Sequence, residues 1–232
     1  MVDLYEYLKN NEYPGRGIAI GVTPCGNNIR IAYWIMGRSA NSRNRVFTET
    51  EDGIRTEAFD PAKLEDPSLI IYHPVRKLGK QLIVTNGDQT DTIWEGLKEG
   101  RSFEDSLRTR TFEPDGPNWT PRISAIVEGS DYRMSILKSM NAEGTAAGRY
   151  FFDYSEKENG IGHLITTYKT NGNPIPSFEG EPVRWEMAHE KFDLFSEHIW
   201  GALNEDNKVS LYTCHMNIET GEMKTMIFNK NK

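Results

Sequence analysis

The chain has 232 residues, 37% of them hydrophobic, and a formal net charge of -7 at pH 7. That length and apolar content suit one domain with a substantial core, and no Ser/Gly/Pro-rich linker, low-complexity tract or internal repeat divides residues 1–232. The acidic balance argues against nucleic acid as a partner, no apolar run approaches the ~20 residues needed to span a bilayer, and Cys25 and Cys214 are too few for a disulfide framework, so a cytoplasmic protein is expected.

Asp3 to Asn10 reads as a short helix, with Leu4, Tyr5 and Leu8 on one side and Asp3 as its N-cap. Ile18, Ile20 and Val22 then alternate, Pro24 to Asn28 turns, and Ile29 to Met36 runs apolar on both faces, as in a strand covered on each side. Val46 to Glu51 and Ile54 to Phe59 flank an Asp52-Gly53 turn, and Leu69 to Val75 with Gln81 to Thr85 suggests another hairpin. Helices are expected over Asp91 to Lys98, capped by Thr90 or Asp91, and over Ser102 to Arg108. Short alternating or aromatic strands follow at Arg122 to Val127, Tyr132 to Leu137, Tyr150 to Tyr154 and His163 to Tyr168. Phe192, Phe195, Ile199 and Leu203 keep helical spacing, and Val209 to Ile218 and Met223 to Phe228 close the chain around a Thr220-Gly221 turn. Hairpins outnumber crossovers, so the class is α+β with mostly antiparallel sheets.

The five histidines show no His-x-His or His-Glu-x-x-His spacing and do not cluster with the cysteines, so no metal site is expected. Phosphate-loop, dinucleotide-turn and serine-elbow motifs are absent, which removes the usual support for triphosphate, hydride and serine-hydrolase chemistry. The sharpest cluster is Gly37-Arg38-Ser39-Ala40-Asn41-Ser42-Arg43-Asn44-Arg45. Guanidinium forks beside Ser and Asn suit a compact oxyanion such as a phosphate monoester; a solvated basic loop is the competing reading.

Asn86-Gly87-Asp88-Gln89-Thr90-Asp91 leaves a strand and enters a helix, a junction that either reads an amide or anion or simply caps the helix. Phe112-Glu113-Pro114-Asp115-Gly116-Pro117-Asn118-Trp119-Thr120-Pro121-Arg122 is a stiff loop able to hold Glu113 against an apolar wall, which would raise its pKa. Trp119 could stack on a heterocycle or pack on the core, and Tyr72 could move a proton or sit as a satisfied core phenol.

Gly15-Arg16, Ala32-Tyr33, Arg38-Ser39, Asn44-Arg45, Asn86-Gly87, Thr90-Asp91-Thr92-Ile93, Thr120-Pro121-Arg122-Ile123 and Thr167-Tyr168, in that order, resemble the archaeal-type IMP cyclohydrolase family over about residues 13 to 185. The resemblance implies a four-layer α-β-β-α sandwich similar to N-terminal-nucleophile hydrolases but without a self-cleaved nucleophile. It also implies closure of 5-formamidoimidazole-4-carboxamide ribonucleotide to inosine monophosphate with loss of water, in purine synthesis, with no cofactor.

On that resemblance Arg16, Arg38, Arg43 and Arg45 would hold the 5'-phosphate or a developing oxyanion, helped by Ser39 and Asn44. Glu113 and Tyr72 would be acid/base groups. Asn86, Asp88, Gln89 and Asp91 would lie near the carboxamide or ribose, with Trp119, Thr120 and Arg122 on the opposite wall. The chain departs from the family pattern by extra residues in Ala40 to Asn44, by Asp88-Gln89 and by Trp119 between Asn118 and Thr120. A non-catalytic nucleotide-binding protein of the same fold is the alternative, and assembly into a homo-oligomer is left open.

Overall fold

The structure is a computed structural model and describes residues 1–64 and 67–231. Its elements are β1 (Val2–Asp3), α1 (Leu4–Lys9), β2 (Gly17–Val22), β3 (Asn28–Met36), α2 (Ala40–Arg43), β4 (Arg45–Thr50), β5 (Gly53–Ala58), β6 (Val75–Leu78), β7 (Gln81–Thr85), α3 (Gln89–Lys98), α4 (Phe103–Arg108), β8 (Arg122–Glu128), β9 (Asp131–Ser139), β10 (Ala147–Tyr154), β11 (Ile161–Thr166), β12 (Val183–Glu186), α5 (Phe192–Ala202), β13 (Lys208–Asn217) and β14 (Met223–Asn229). A single 3-10 turn, Pro61–Lys63, follows β5.

The strands form two seven-stranded sheets, ordered β1-β12-β11-β2-β3-β13-β14 and β10-β9-β8-β7-β6-β5-β4. The strand pairs are antiparallel except β1 with β12. The α+β class with antiparallel sheets is therefore as the hairpin-rich sequence predicts.

Strand parity explains how the layers meet. In β3, Ile29, Ile31, Tyr33 and Ile35 face the opposing sheet, where they meet Phe47, Val84, Ile123 and Ala125. The alternate residues Ala32, Trp34 and Met36 face outward and pack with Leu4 and Leu8 of α1 and with Phe195 and Ile199 of α5. β3 is thus covered on both faces, as its continuous apolar run requires. On the far side of the second sheet, Ile83, Ile126 and Leu137 pack under Ile93 of α3 and Phe103 and Leu107 of α4.

The expected cap holds at α1, where the Asp3 carboxylate accepts the Glu6 N–H at 2.9 Å. Helix α3 starts earlier than Thr90 or Asp91 would place it, with Asp88 in the cap position and no side-chain cap bond. The Asp88 carboxylate is instead taken by two arginines, described below. The expected strand Leu69 to Val75 is displaced to Val75–Leu78. Residues Ile70 to Tyr72 still run beside β5, but they are held by Thr56: its hydroxyl donates to Ile70 O at 2.6 Å and its N–H to Tyr72 O at 2.9 Å. Pro74 has no N–H to continue a ladder. β1 and β12 are further strands that the sequence pattern did not separate from loop.

The strands β4 and β14, each at the end of its sheet, are joined by Asn229. Its side chain accepts the Phe47 N–H at 2.8 Å and donates to Phe47 O at 3.0 Å, and the same Oδ1 accepts the Ser210 hydroxyl at 2.7 Å. Asn229→Ala would leave both Phe47 groups unpaired, and urea unfolding should show a loss of about 1–3 kcal/mol with an unchanged m-value.

Candidate functional site

β2, β4 and β8 begin, and β3, β7 and β11 end, at one end of the two sheets, and the polar residues of the sequence motifs gather there. Arg16 immediately precedes β2, Arg45 opens β4, Asn86 follows β7, and Glu113 lies in the loop that leads into β8. Two backbone features hold this loop closed: Glu113 N–H donates to Thr120 O at 2.9 Å, and Asn86 N–H donates to Ile123 O at 3.2 Å.

Glu113 is almost wholly buried, 2% exposed. Its carboxylate lies 3.7 Å from Arg16 Nη2, too far for a hydrogen bond, and receives one long hydrogen bond from Asn86 Nδ2 at 3.4 Å. Burial raises its pKa, against the opposing pull of Arg16, Arg122 and Arg45, with Asp115 adding to the rise. Arg16 is itself desolvated, yet the neighbouring Glu113 holds its pKa well up, so it remains a cation. Burial is the dominant influence on the carboxyl because so few hydrogen bonds compensate it.

Arg45 is 1% exposed. Its Nε donates to Ser42 O at 2.8 Å and Nη2 to Met36 O at 3.4 Å. Burial lowers its pKa, and the nearby Arg16 adds to that, while Tyr72 opposes it. Arg45 Nη1 and Arg16 Nε are both buried with no hydrogen-bond partner among the described residues. Two arginines that repel each other and retain unpaired donors form a strongly anion-seeking pair.

Phenols surround them. The Tyr33 and Tyr72 hydroxyls are 2.9 Å apart, joining β3 of one sheet to the segment after β5 of the other. Burial, reinforced by Tyr72, pushes the Tyr33 hydroxyl well above the ordinary phenol range, so it stays protonated. On the opposite side Tyr168 bonds Thr120 Oγ1 at 2.6 Å and stacks on Tyr13 with ring centres 5.8 Å apart. Burial raises the Tyr168 pKa to about 12, with Arg16 and Thr120 pulling the other way. Asp115 fixes Thr120, accepting its N–H at 2.7 Å and its hydroxyl.

Gly15 makes this packing possible. Its φ is +73°, and a Cβ there would lie 2.2 Å from Thr167 Oγ1 and 2.5 Å from the Tyr168 ring. The Thr167 hydroxyl instead accepts the Arg16 N–H at 3.1 Å, which fixes the arginine's backbone.

A second polar group adjoins the first. Asn86 Oδ1 accepts the Ile123 N–H at 2.8 Å and Gln89 Nε2 at 2.9 Å, while Gln89 Oε1 accepts Arg122 Nη1 at 2.7 Å. Arg122 Nη1 also donates to Asp88 at 2.6 Å, and Arg110 donates to the other Asp88 oxygen. Burial alone would raise the Asp88 pKa, but the Arg110 bond and the charge of Arg122 hold it below the usual carboxylate range. Gly87 leaves the room for this: a Cβ would stand 2.6 Å from both Arg122 Nη1 and Gln89 Oε1.

The remaining sequence candidates take other positions. Arg38 is exposed on the rim, donating to Asn171 Oδ1 at 2.7 Å and Gly172 O at 2.9 Å, with its guanidinium 5.2 Å from the Tyr13 ring centre. Ser39 caps α2 by accepting the Ser42 N–H at 3.1 Å. Arg43 turns to Gly37 O at 2.9 Å and Asn207 Oδ1 at 3.2 Å. The Asn44 amide is paired with the Asp60 backbone at 2.7 and 2.8 Å. Asp91 accepts Arg76 Nη1 at 3.0 Å. Trp119, at φ +43°, donates to Ala142 O at 2.8 Å and meets Phe112 edge-on. The structure thus brings together Arg16, Arg45, Tyr72, Asn86, Glu113 and Thr120, links Asp88, Gln89 and Arg122 beside them, and gives Ser39, Arg43, Asn44 and Asp91 partners within the chain. Tyr13, Tyr33, Arg110, Asp115 and Tyr168 are constituents to which sequence reasoning gave no role.

Fold and site together define an α+β protein with a desolvated end that carries acid, phenol and guanidinium groups. The family profile described as "IMP cyclohydrolase-like protein" matches residues 13–221. An IMP cyclohydrolase of Methanococcus maripaludis strain S2 is 34% identical over 195 residues, covering 78% of this chain and 90% of its own length. Those of Methanopyrus kandleri and Methanothrix thermoacetophila are 28% and 27% identical, covering 72% and 78% of this chain and 89% and 86% of their own lengths. The chain belongs to the IMP cyclohydrolase-like family.

The Glu113 carboxyl has a testable signature. A folded-state pKa above the unfolded one means that the folded protein keeps a proton the unfolded chain has released, so stability falls as pH rises from the ordinary glutamate range through the folded pKa. Glu113→Gln removes that dependence: between pH of about 4 and 8 the melting temperature of the native protein should fall more than that of the variant.

Proposed function

We propose that the protein is an IMP cyclohydrolase, of the cyclic-amidine hydrolase class, closing 5-formamidoimidazole-4-carboxamide ribonucleotide to inosine monophosphate with release of water. The observation that carries the reading is the pairing of a desolvated carboxyl, Glu113, with buried unpaired N–H donors on Arg16 and Arg45 beside the Tyr33–Tyr72 hydroxyl pair. Family membership and the names of the relatives supply the substrate. In this reading residues 1–232 act as one domain, and the helix-sheet-sheet-helix layering is that of an N-terminal-nucleophile hydrolase without its nucleophile.

The reaction needs no external nucleophile. The carboxamide nitrogen attacks the formyl carbon within one molecule, a tetrahedral carbinolamine forms, and its hydroxyl leaves as water. Holding the reactive rotamer contributes most, because both partners are already tethered. Tyr72 donates to the formyl oxygen as negative charge develops there, and Arg16 and Arg45 stabilise the same charge through their unpaired N–H groups. Glu113, whose pKa burial raises, gives a proton to the departing hydroxyl and recovers one from the ring nitrogen. Asn86 and Gln89, with Arg122 beside them, face the carboxamide or ribose. Arg38 on the rim is placed to meet the 5'-phosphate, and Tyr13 with Thr120 and Tyr168 forms a wall.

Ultraviolet absorbance as the purine forms, with the formylated nucleotide added to pure protein, tests the reading directly. Saturable nucleotide binding without product would establish a binding protein instead. Glu113→Gln should lower kcat by about a hundred- to ten-thousandfold with the nucleotide still bound. Arg38→Ala should weaken nucleotide affinity about ten- to a hundredfold, the loss of one charged hydrogen-bond partner, with a smaller effect on kcat.

A further inference from the structure

Sheet edges carry unpaired N–H and C=O groups, and each of this protein's two sheets has two of them. β1 is only two residues long. β4 and β14 lie together, and Asn229 joins them at Phe47. The fourth edge, β10, is different. Its eight residues pair with β9 over their whole length, from Ala147 with Ser139 to Tyr154 with Tyr132, and among the described residues no strand covers the other side. The sequence Ala-Gly-Arg-Tyr-Phe-Phe-Asp-Tyr contains no proline or lysine, the residues that usually blunt such an edge.

The edge also carries aromatic rings on both faces. Phe151 packs outward against Phe103, while Phe152 and Tyr154 turn to the inter-sheet core. Tyr150 is 39% exposed, and Met140, just after β9, is 57% exposed.

The charges of β10 specify a partner. When an edge strand pairs antiparallel with its own copy about a two-fold axis normal to the sheet, each face stays on its own side. Paired residues must then share a face, so the axis passes through a residue and not between two. With the axis at Phe151, Arg149 stands opposite Asp153 of the second copy, and the same pair recurs on the other side of the axis. Tyr150 then stands opposite Phe152, an aromatic cross-strand pair. Moving the axis to Tyr150 or Phe152 sets one charge against Phe151 and leaves no opposite-charge pair.

Both side chains are ready for this contact. Arg149 is anchored through Nε to Arg110 O at 3.0 Å, and its Nη groups make no hydrogen bond or ion pair among the described residues. The exposed Asp153 carboxylate likewise has no partner among the described residues.

We propose that β10 is a homodimer edge: two copies of this chain join their β10 strands antiparallel about Phe151, making one continuous sheet through both. The interface is self-complementary, with two Arg149–Asp153 pairs flanking the Phe151 pair on one face and two Tyr150–Phe152 pairs on the other, and it lies on the strand at the far end of its sheet from Arg45.

Charge reversal tests it by light scattering on the full chain across a concentration series. Asp153→Arg places two cations together twice, and Arg149→Asp two anions, so each should halve the mass of the wild-type assembly. The double variant Arg149→Asp with Asp153→Arg restores opposite pairs and should return the wild-type mass. Circular dichroism melting of each variant checks that the exposed substitutions leave the fold intact. A monomeric wild type, unchanged mass in both well-folded single variants, or failure of the double variant to reassemble would each overturn the proposal.

Discussion

Desolvation of charge at one end of the sandwich is the constraint around which the molecule is arranged. Arg16, Arg45 and Glu113 are withdrawn from water with fewer hydrogen bonds than they could make. Such a group is costly, by several kcal/mol for an ion without full compensation. The cost falls on the apolar layers, and β2, β3 and β13 are accordingly buried on both faces. Ile29 to Ile35 press one sheet on the other, while Trp34 and Met36 anchor the helices outside. The polar end is braced by backbone bonds, Glu113 to Thr120 and Asn86 to Ile123, in which no titrating group takes part.

The same arrangement divides the polar residues into two kinds. Asp88, Gln89, Arg110 and Arg122 satisfy one another and form a rigid bracket. Arg16, Arg45, Tyr72 and Glu113 are left with capacity to spare. Rigid, satisfied groups set position, and unsatisfied groups act on what enters. That contrast is what family membership alone would not supply, since a motif records which residues occur and is silent on which are paired.

How much could be read beforehand follows from the same distinction. The amphipathic helices, the doubly covered β3 and the hairpins were legible because burial imposes periodicity. The burial of Glu113 was legible because prolines and aromatics stiffen the loop around it. The arginine loop was legible only as a cluster. Its members diverge, since Arg45 opens a strand and enters the core while Arg43 folds back on Gly37. Tyr33 stayed hidden because its position in an apolar strand gives no sign that its hydroxyl reaches Tyr72 across the sheets. Asp115, Arg110 and Tyr168 depend on contacts between distant segments. The displaced β6 has a local cause, since Thr56 supplies by side chain what a ladder would supply by backbone.

Gly15 has an implication for how this pocket can change. With a left-handed backbone and no space for even a methyl group before Thr167 and Tyr168, it locks the floor of the site to the strand that carries Arg16. The Trp119 loop is held in the same way: its indole donates to Ala142 O at 2.8 Å, and a Cβ on Gly144, at φ +68°, would lie 2.4 Å from the Trp119 ring. A position with no room for a methyl group admits only glycine, so at both places the backbone can move only together with the aromatic ring that packs on it.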